Sequence, residues 1–72
     1  MDFRMKPEKI ALNLISLREK KGVTQSEVAS ALGLTRAAVS QYEAGARIPA
    51  DEIKVKIADY FGTTVQDIFY TI

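Results

Sequence analysis

QSEVASALGLTRAAVSQYEA, residues 25–44, decides how the chain reads, because its apolar spacing suits two short helices on either side of a tight turn. Val28, Ala29 and Leu32 stand at the i, i+1, i+4 spacing of one helical stripe. Gly33 interrupts, and Leu34, Val39 and Tyr42 then supply the buried side of a second short helix. Thr24 followed by Glu27 makes a T-x-x-E capping box that starts the first helix. Thr35 is placed to cap the second by accepting a hydrogen bond from an early backbone N–H. A helix that stops sharply before a tight turn favours a residue with positive φ, which Gly33 adopts without a Cβ penalty. Where two helices cross steeply their backbones come close, so the contact position must be small, and Ala29 stands there.

Taken together these positions predict a helix-turn-helix over 25–44, with helices of roughly 25–32 and 36–43. The second helix of such a motif is free to enter a DNA major groove. Any helical hairpin in a small bundle shares the Leu/Val stripe. The alanine, the glycine, both caps and the apolar register falling together favour the motif.

On the N-terminal side, Pro7 suits the first turn of a helix running to about Lys20, with Ile10, Leu14 and Leu17 on one face and Ala11 and Ile15 beside them. The run Glu19, Lys20, Lys21, Gly22 ends it, with cations near the negative pole and a glycine stop. On the C-terminal side, the loop AGARIP (44–49) leads to a fourth helix over about 50–61, with Ile53, Ile57, Ala58 and Phe61 as its expected inner face and Gly62 closing it. Thr64 caps a last short helix containing Val65, Ile68 and Phe69. No segment reads as a strand, so the expected fold is all-α with five helices in a single domain, residues 1–72.

The 72 residues, 47% of them apolar, are enough for one compact core. A domain of this size buries only about 60% of the surface of its unfolded chain, which predicts modest stability. Without cysteine, neither disulfides nor thiolate metal sites reinforce it, and neither a metal nor a cofactor is expected. No apolar run approaches the ~20 residues that span a bilayer. The opening MDFRMKPEK lacks the apolar segment of a secretory signal, so the expectation is a cytoplasmic protein with no membrane partner. An enzyme is not expected either: there is no histidine, no Gly-rich phosphate loop, and no base to activate Ser26, Ser40 or the tyrosines. The net charge of +1 is unevenly spread. Through Arg47, eight Lys/Arg face five Asp/Glu, a balance of +3; from Ile48 onward, two Lys face four acids, a balance of −2. A basic front that carries the motif suits a polyanion on one side only.

LREKKGVTQ (17–25), SEVASALGLT (26–35), RAAVSQYEAG (36–45), RIP (47–49) and IADYFG (57–62) resemble, in order and spacing, the phage repressor and Cro family and its small xenobiotic-response-element-like (Xre-like) regulators. That resemblance covers nearly the whole chain. It implies a compact five-helix, lambda-repressor-like domain that binds double-stranded operator DNA, usually as a dimer. It implies a transcriptional repressor at a palindromic operator, bacterial or phage-encoded and associated with the nucleoid. The family's base readers correspond to Arg36, Ala37 and Gln41. Arg36 is a natural bidentate donor to guanine O6 and N7, Gln41 can pair with adenine N6 and N7, and Ala37 can offer its methyl to thymine. Helical spacing agrees, since 36, 37, 40 and 41 project away from Val39 and Tyr42, although ordinary solvated helix residues would project the same way. Phosphate contacts are expected from Gln25, at the positive end of the second helix, and by position from Ser26, Thr35, Ser40, Tyr42, Arg47 and Arg18. In the family the glutamine matching Gln25 bonds both the backbone and a side chain of the recognition helix. Arg18 and Glu43 match a family ion pair, expected to be structural first; Ala29, Gly33, Val39 and Glu43 hold the motif together.

One departure stands out. Asp51 and Lys54 occupy positions that are commonly apolar in the family, so the fourth helix either starts differently or is rotated. Phe69, Tyr70 and Ile72 leave two readings open: a two-fold contact between copies, or packing inward against the first helix and fraying. No ligand-sensing domain is expected, which leaves control to concentration, a regulatory protein partner, or competition for DNA. The rival function is a protein-interaction module of the antitoxin kind, with DNA binding secondary. Such an adaptor has no need of Arg36 and Gln41 beside phosphate-facing groups.

Overall fold

Each helix of the chain begins and ends on a local signal. The computed structural model describes residues 6–70. Its helices are α1 (Pro7–Lys21), α2 (Gln25–Leu32), α3 (Arg36–Glu43), α4 (Asp51–Phe61) and α5 (Val65–Phe69). Pro7 opens α1, where its missing N–H costs nothing, and Arg18, Lys20 and Lys21 crowd the last turn. The capping box of α2 is complete: Thr24 Oγ1 accepts from the Glu27 amide at 3.0 Å, and Glu27 Oε1 accepts from the Thr24 amide at 3.0 Å. Thr35 Oγ1 accepts from Ala38 N at 3.1 Å to start α3, and Thr64 Oγ1 accepts from Asp67 N at 3.1 Å to start α5.

The turn between α2 and α3 depends on Gly33, which takes φ 70°. That conformation lets the Leu34 amide reach back to Ala29 O at 2.8 Å and swings the chain into α3. Gly45 closes α3 in the same way at φ 72°. A Cβ there would come within 3.4 Å of the Pro7 carbonyl oxygen, so the loop after α3 lies directly on the start of α1.

α3 packs on α2 and on α1; α4 packs chiefly on α5 and α2, and α5 packs on α4 and α1. The core is built from Ile10, Leu14, Val28, Ala29, Leu32, Val39, Tyr42, Ile57, Ala58, Ile68 and Phe69. The structure is all-helical among the described residues, in the expected order, with the predicted bounds of α2 and α3.

Two readings left open at the C-terminal side are decided among the described residues. α4 starts at Asp51, with Ala50 at its N-cap, and it is not rotated: Ile57 and Ala58 face the core, with Ile53 and Phe61 half-buried. Lys54 nevertheless lies inside, 4% exposed, in a position the family commonly fills with an apolar residue. Its aliphatic stem packs as an apolar side chain would. Its ammonium donates to Asp51 Oδ1 at 3.1 Å and to Tyr70 OH at 3.4 Å. Burial pulls the Lys54 pKa down, but the hydrogen bonds to Asp51 and Tyr70 outweigh it and hold the group above the ordinary lysine value. The second concerns Phe69, for which the sequence leaves open both a contact between copies and inward packing. It is 2% exposed and belongs to the core, because α5 turns it inward beside Ile68. Tyr70 is 44% exposed, and Ile72 lies outside the described residues.

Ala29 is 4% exposed within the α2–α3 contact, so there is no room for a longer side chain. Ala29→Leu is expected to cost about 1–3 kcal/mol by overpacking, read from urea denaturation. An unchanged midpoint would mean that the two helices do not meet closely at this position.

Candidate nucleic-acid interface

With Val39 and Tyr42 turned into the core, the opposite flank of α3 is left to solvent. Arg36, Ala37 and Gln41 are exposed along it, Ser40 is half-buried, and the N-capping Thr35 is exposed at its head. Ala44 continues the same flank at the helix end; carrying the helical period one turn past Gln41 would have found it. Apart from Arg36 and Gln41 the flank is made of small side chains, so the helix backbone can approach a flat or grooved partner closely.

Glu43 is the only acid in α3, and it is committed inward. Its Oε2 accepts from Arg18 Nε at 2.7 Å, and its Oε1 accepts from Arg18 Nη2 at 3.1 Å. The same Oε1 accepts from Gln25 Nε2 at 3.0 Å, and Arg18 Nη1 donates to the Val23 carbonyl at 3.1 Å. One carboxylate therefore ties the end of α3 to α1 and to the first residue of α2. The Glu43 side chain is 7% exposed and that of Arg18 is 20% exposed, so this is not a screened surface pair. The hydrogen bond to Glu43 raises the Arg18 pKa, against the opposing effect of burial. Electrostatically, the clamp neutralises the one acid of α3, whose other charged residue is the exposed Arg36.

The remaining expected phosphate contacts fall around this flank. Ser26 is exposed in the first turn of α2, and Gln25, half-buried, has its amide nitrogen fixed by Glu43. Arg47 is exposed in the loop after α3, its guanidinium carbon 5.9 Å from the centre of the Tyr42 ring. Arg36 and Arg47 thus bracket the two ends of the helix. Tyr42 itself is 4% exposed and serves first as a core residue, which leaves little of it to meet a phosphate. Arg18 has all three guanidinium nitrogens engaged inside the protein, which makes it a clamp before anything else. Among the described residues no group of three or more His, Cys, Asp or Glu is arranged to hold a metal ion, and no helix is long and apolar enough to cross a membrane.

The helix-turn-helix family HTH_3 matches residues 14–68, and the chain belongs to that family. It is a helix-turn-helix DNA-binding protein of the transcription-regulator kind. Among solved structures, the restriction-modification controller protein C.AhdI from Aeromonas hydrophila is 28% identical, with a TM-score of 0.81 over 88% of this chain and 96% of that one. The SOS-response transcriptional repressor LexA from Eubacterium rectale is 27% identical, with a TM-score of 0.84 over 88% of this chain and 67% of that one. A transcriptional regulator from Listeria innocua shares the fold at 22% identity and a TM-score of 0.83; the match covers 96% of this chain but 62% of that longer one. No curated protein sequence matches the chain.

Breaking the clamp should be costly, because removing Arg18 strands a mostly buried carboxylate. Arg18→Ala is expected to lose about 2–3 kcal/mol, between the values for exposed and fully buried pairs. A double-mutant cycle with Glu43→Ala should return a coupling above about 1 kcal/mol. Additive losses would reduce the pair to two independent packing residues.

Proposed function

We propose that the chain reads specific double-stranded DNA through the outward flank of α3 and acts as a repressor, two copies binding a palindromic operator. The observation that supports this most directly is the flank itself: Arg36, Ala37 and Gln41 exposed on a helix whose only acid is withdrawn into the Arg18–Gln25 clamp. In this reading Arg36 donates both of its parallel N–H groups to a guanine edge, Gln41 pairs with an adenine edge, and Ala37 meets a thymine methyl. Gln25, Ser26, Thr35, Ser40 and Arg47 hold the backbone phosphates on either side, which sets the register in which the helix enters the groove. Repression is supported by the LexA likeness in fold. Two copies would present their α3 helices about one DNA turn, ~34 Å, apart, and Tyr70 is the residue from the expected contact that remains exposed.

Selection of bound sequences from random duplexes tests the reading as a whole. An enriched palindrome with a G and an A in each half-site is expected; recovery of no preferred sequence would leave only non-specific binding. Arg36→Ala should weaken specific binding by about 1–3 kcal/mol and relax the preference at one base pair, with non-specific binding nearly unchanged. Equal weakening on every sequence would make Arg36 a phosphate contact instead. Arg47→Ala should do the opposite, lowering affinity on all duplexes alike and reducing the slope of log affinity against log salt by about 1.

A further inference from the structure

Lys54 is the only charged residue buried among the described residues, and its surroundings tie it to the C-terminal end of the fold. Of its two hydrogen-bond partners, the Asp51 side chain is 94% exposed, so water competes freely for that carboxylate. The rest of its cover comes from one direction. The ammonium lies 5.8 Å from the centre of the Phe69 ring and 5.4 Å from that of Tyr70, with the Tyr70 hydroxyl at 3.4 Å. A desolvated ammonium is tolerated only while such partners are in place.

α5 needs support of this kind. It has five residues, too few to be helical without tertiary contacts. It is held by the Thr64 cap, by burial of Ile68 and Phe69, and by Asn13 Nδ2 donating to the Ile68 carbonyl at 2.8 Å. Lys54 adds a link of a different sort. If Tyr70 leaves, an apolar contact is lost and a charge inside the protein also loses its cover.

We propose that Lys54 is a latch: α5 stays closed on α4 while Tyr70 covers the ammonium, and it opens as a unit, separately from α2 and α3, when that cover is lost. Opening uncovers the apolar seat that Ile68 and Phe69 fill between α1 and α4. The α2–α3 pair, capped at both starts and clamped through Glu43, stays in place. The latch gives the protein a second state in which the outward flank of α3 is unchanged and the seat between α1 and α4 presents apolar surface.

Native-state amide hydrogen exchange on the full chain tests this, with Tyr70→Ala made both in the wild type and in a Lys54→Met background. Methionine keeps the stem of residue 54 and removes the charge. In the wild type, Tyr70→Ala should lower protection of the amides at 68 and 70, which donate to Thr64 O and Gln66 O, by about tenfold. Amides of α3 should be unaffected. In the Lys54→Met background the same change should lower protection by less than about twofold, because no charge is left to strand. Tyr70→Phe removes only the hydroxyl and should give an intermediate loss, a result that does not depend on how well Lys54→Met folds. Equal losses in both backgrounds, no loss on Tyr70→Ala, or a loss shared by the α3 amides would overturn the latch.

Discussion

The Glu43 carboxylate is the constraint on which the recognition flank depends. It sits at the last residue of α3 and draws donors from two other helices, Arg18 of α1 and Gln25 of α2. A carboxylate this well buried must be paired, so the three helix segments cannot shift independently without stranding it. The apolar contacts of Val39 and Tyr42 hold α3 against the core but leave it free to slide or roll by small amounts. Directional hydrogen bonds to a fixed guanidinium do not. The proposed base contacts would need side chains placed to within a fraction of an ångström, and the clamp restrains α3 from behind.

The same bonds shape the electrostatics of the face. Glu43, unpaired, would set a negative charge between Arg36 and Arg47 and repel a phosphate backbone. Turned inward onto Arg18, it leaves the two outer arginines as the charges that a polyanion meets at this helix. The clamp therefore restrains α3 and neutralises its one acid, a combination that suits the DNA-binding role of the family to which the chain belongs.

Lys54, the one charged residue that is fully buried among the described residues, follows the same rule with less secure partners. Glu43 is enclosed by donors from within the folded body, whereas Lys54 is covered by the rings that close the described C-terminal end. Around α3 the ties are directional bonds from two other helices, whereas α5 is held by its Thr64 cap, the burial of Ile68 and Phe69, the Asn13 bond and the cover it shares with Lys54.

Sequence by itself determined whatever depends on neighbours a few residues away. The caps at Thr24, Thr35 and Thr64, the stops at Gly22, Gly33 and Gly62, and the helical period between them give the elements and the outward side of α3. These are short-range hydrogen bonds and steric limits, which the local residues contain in full. The Arg18–Glu43 pair was legible only through the family resemblance, since 25 residues separate its partners along the chain. Tertiary structure alone decided that Phe69 turns inward and that Lys54 is buried. A lysine in an amphipathic pattern reads as surface, and only the approach of Phe69 in α5 and of Tyr70 just after it supplies the rings and the hydroxyl that let its charge leave water.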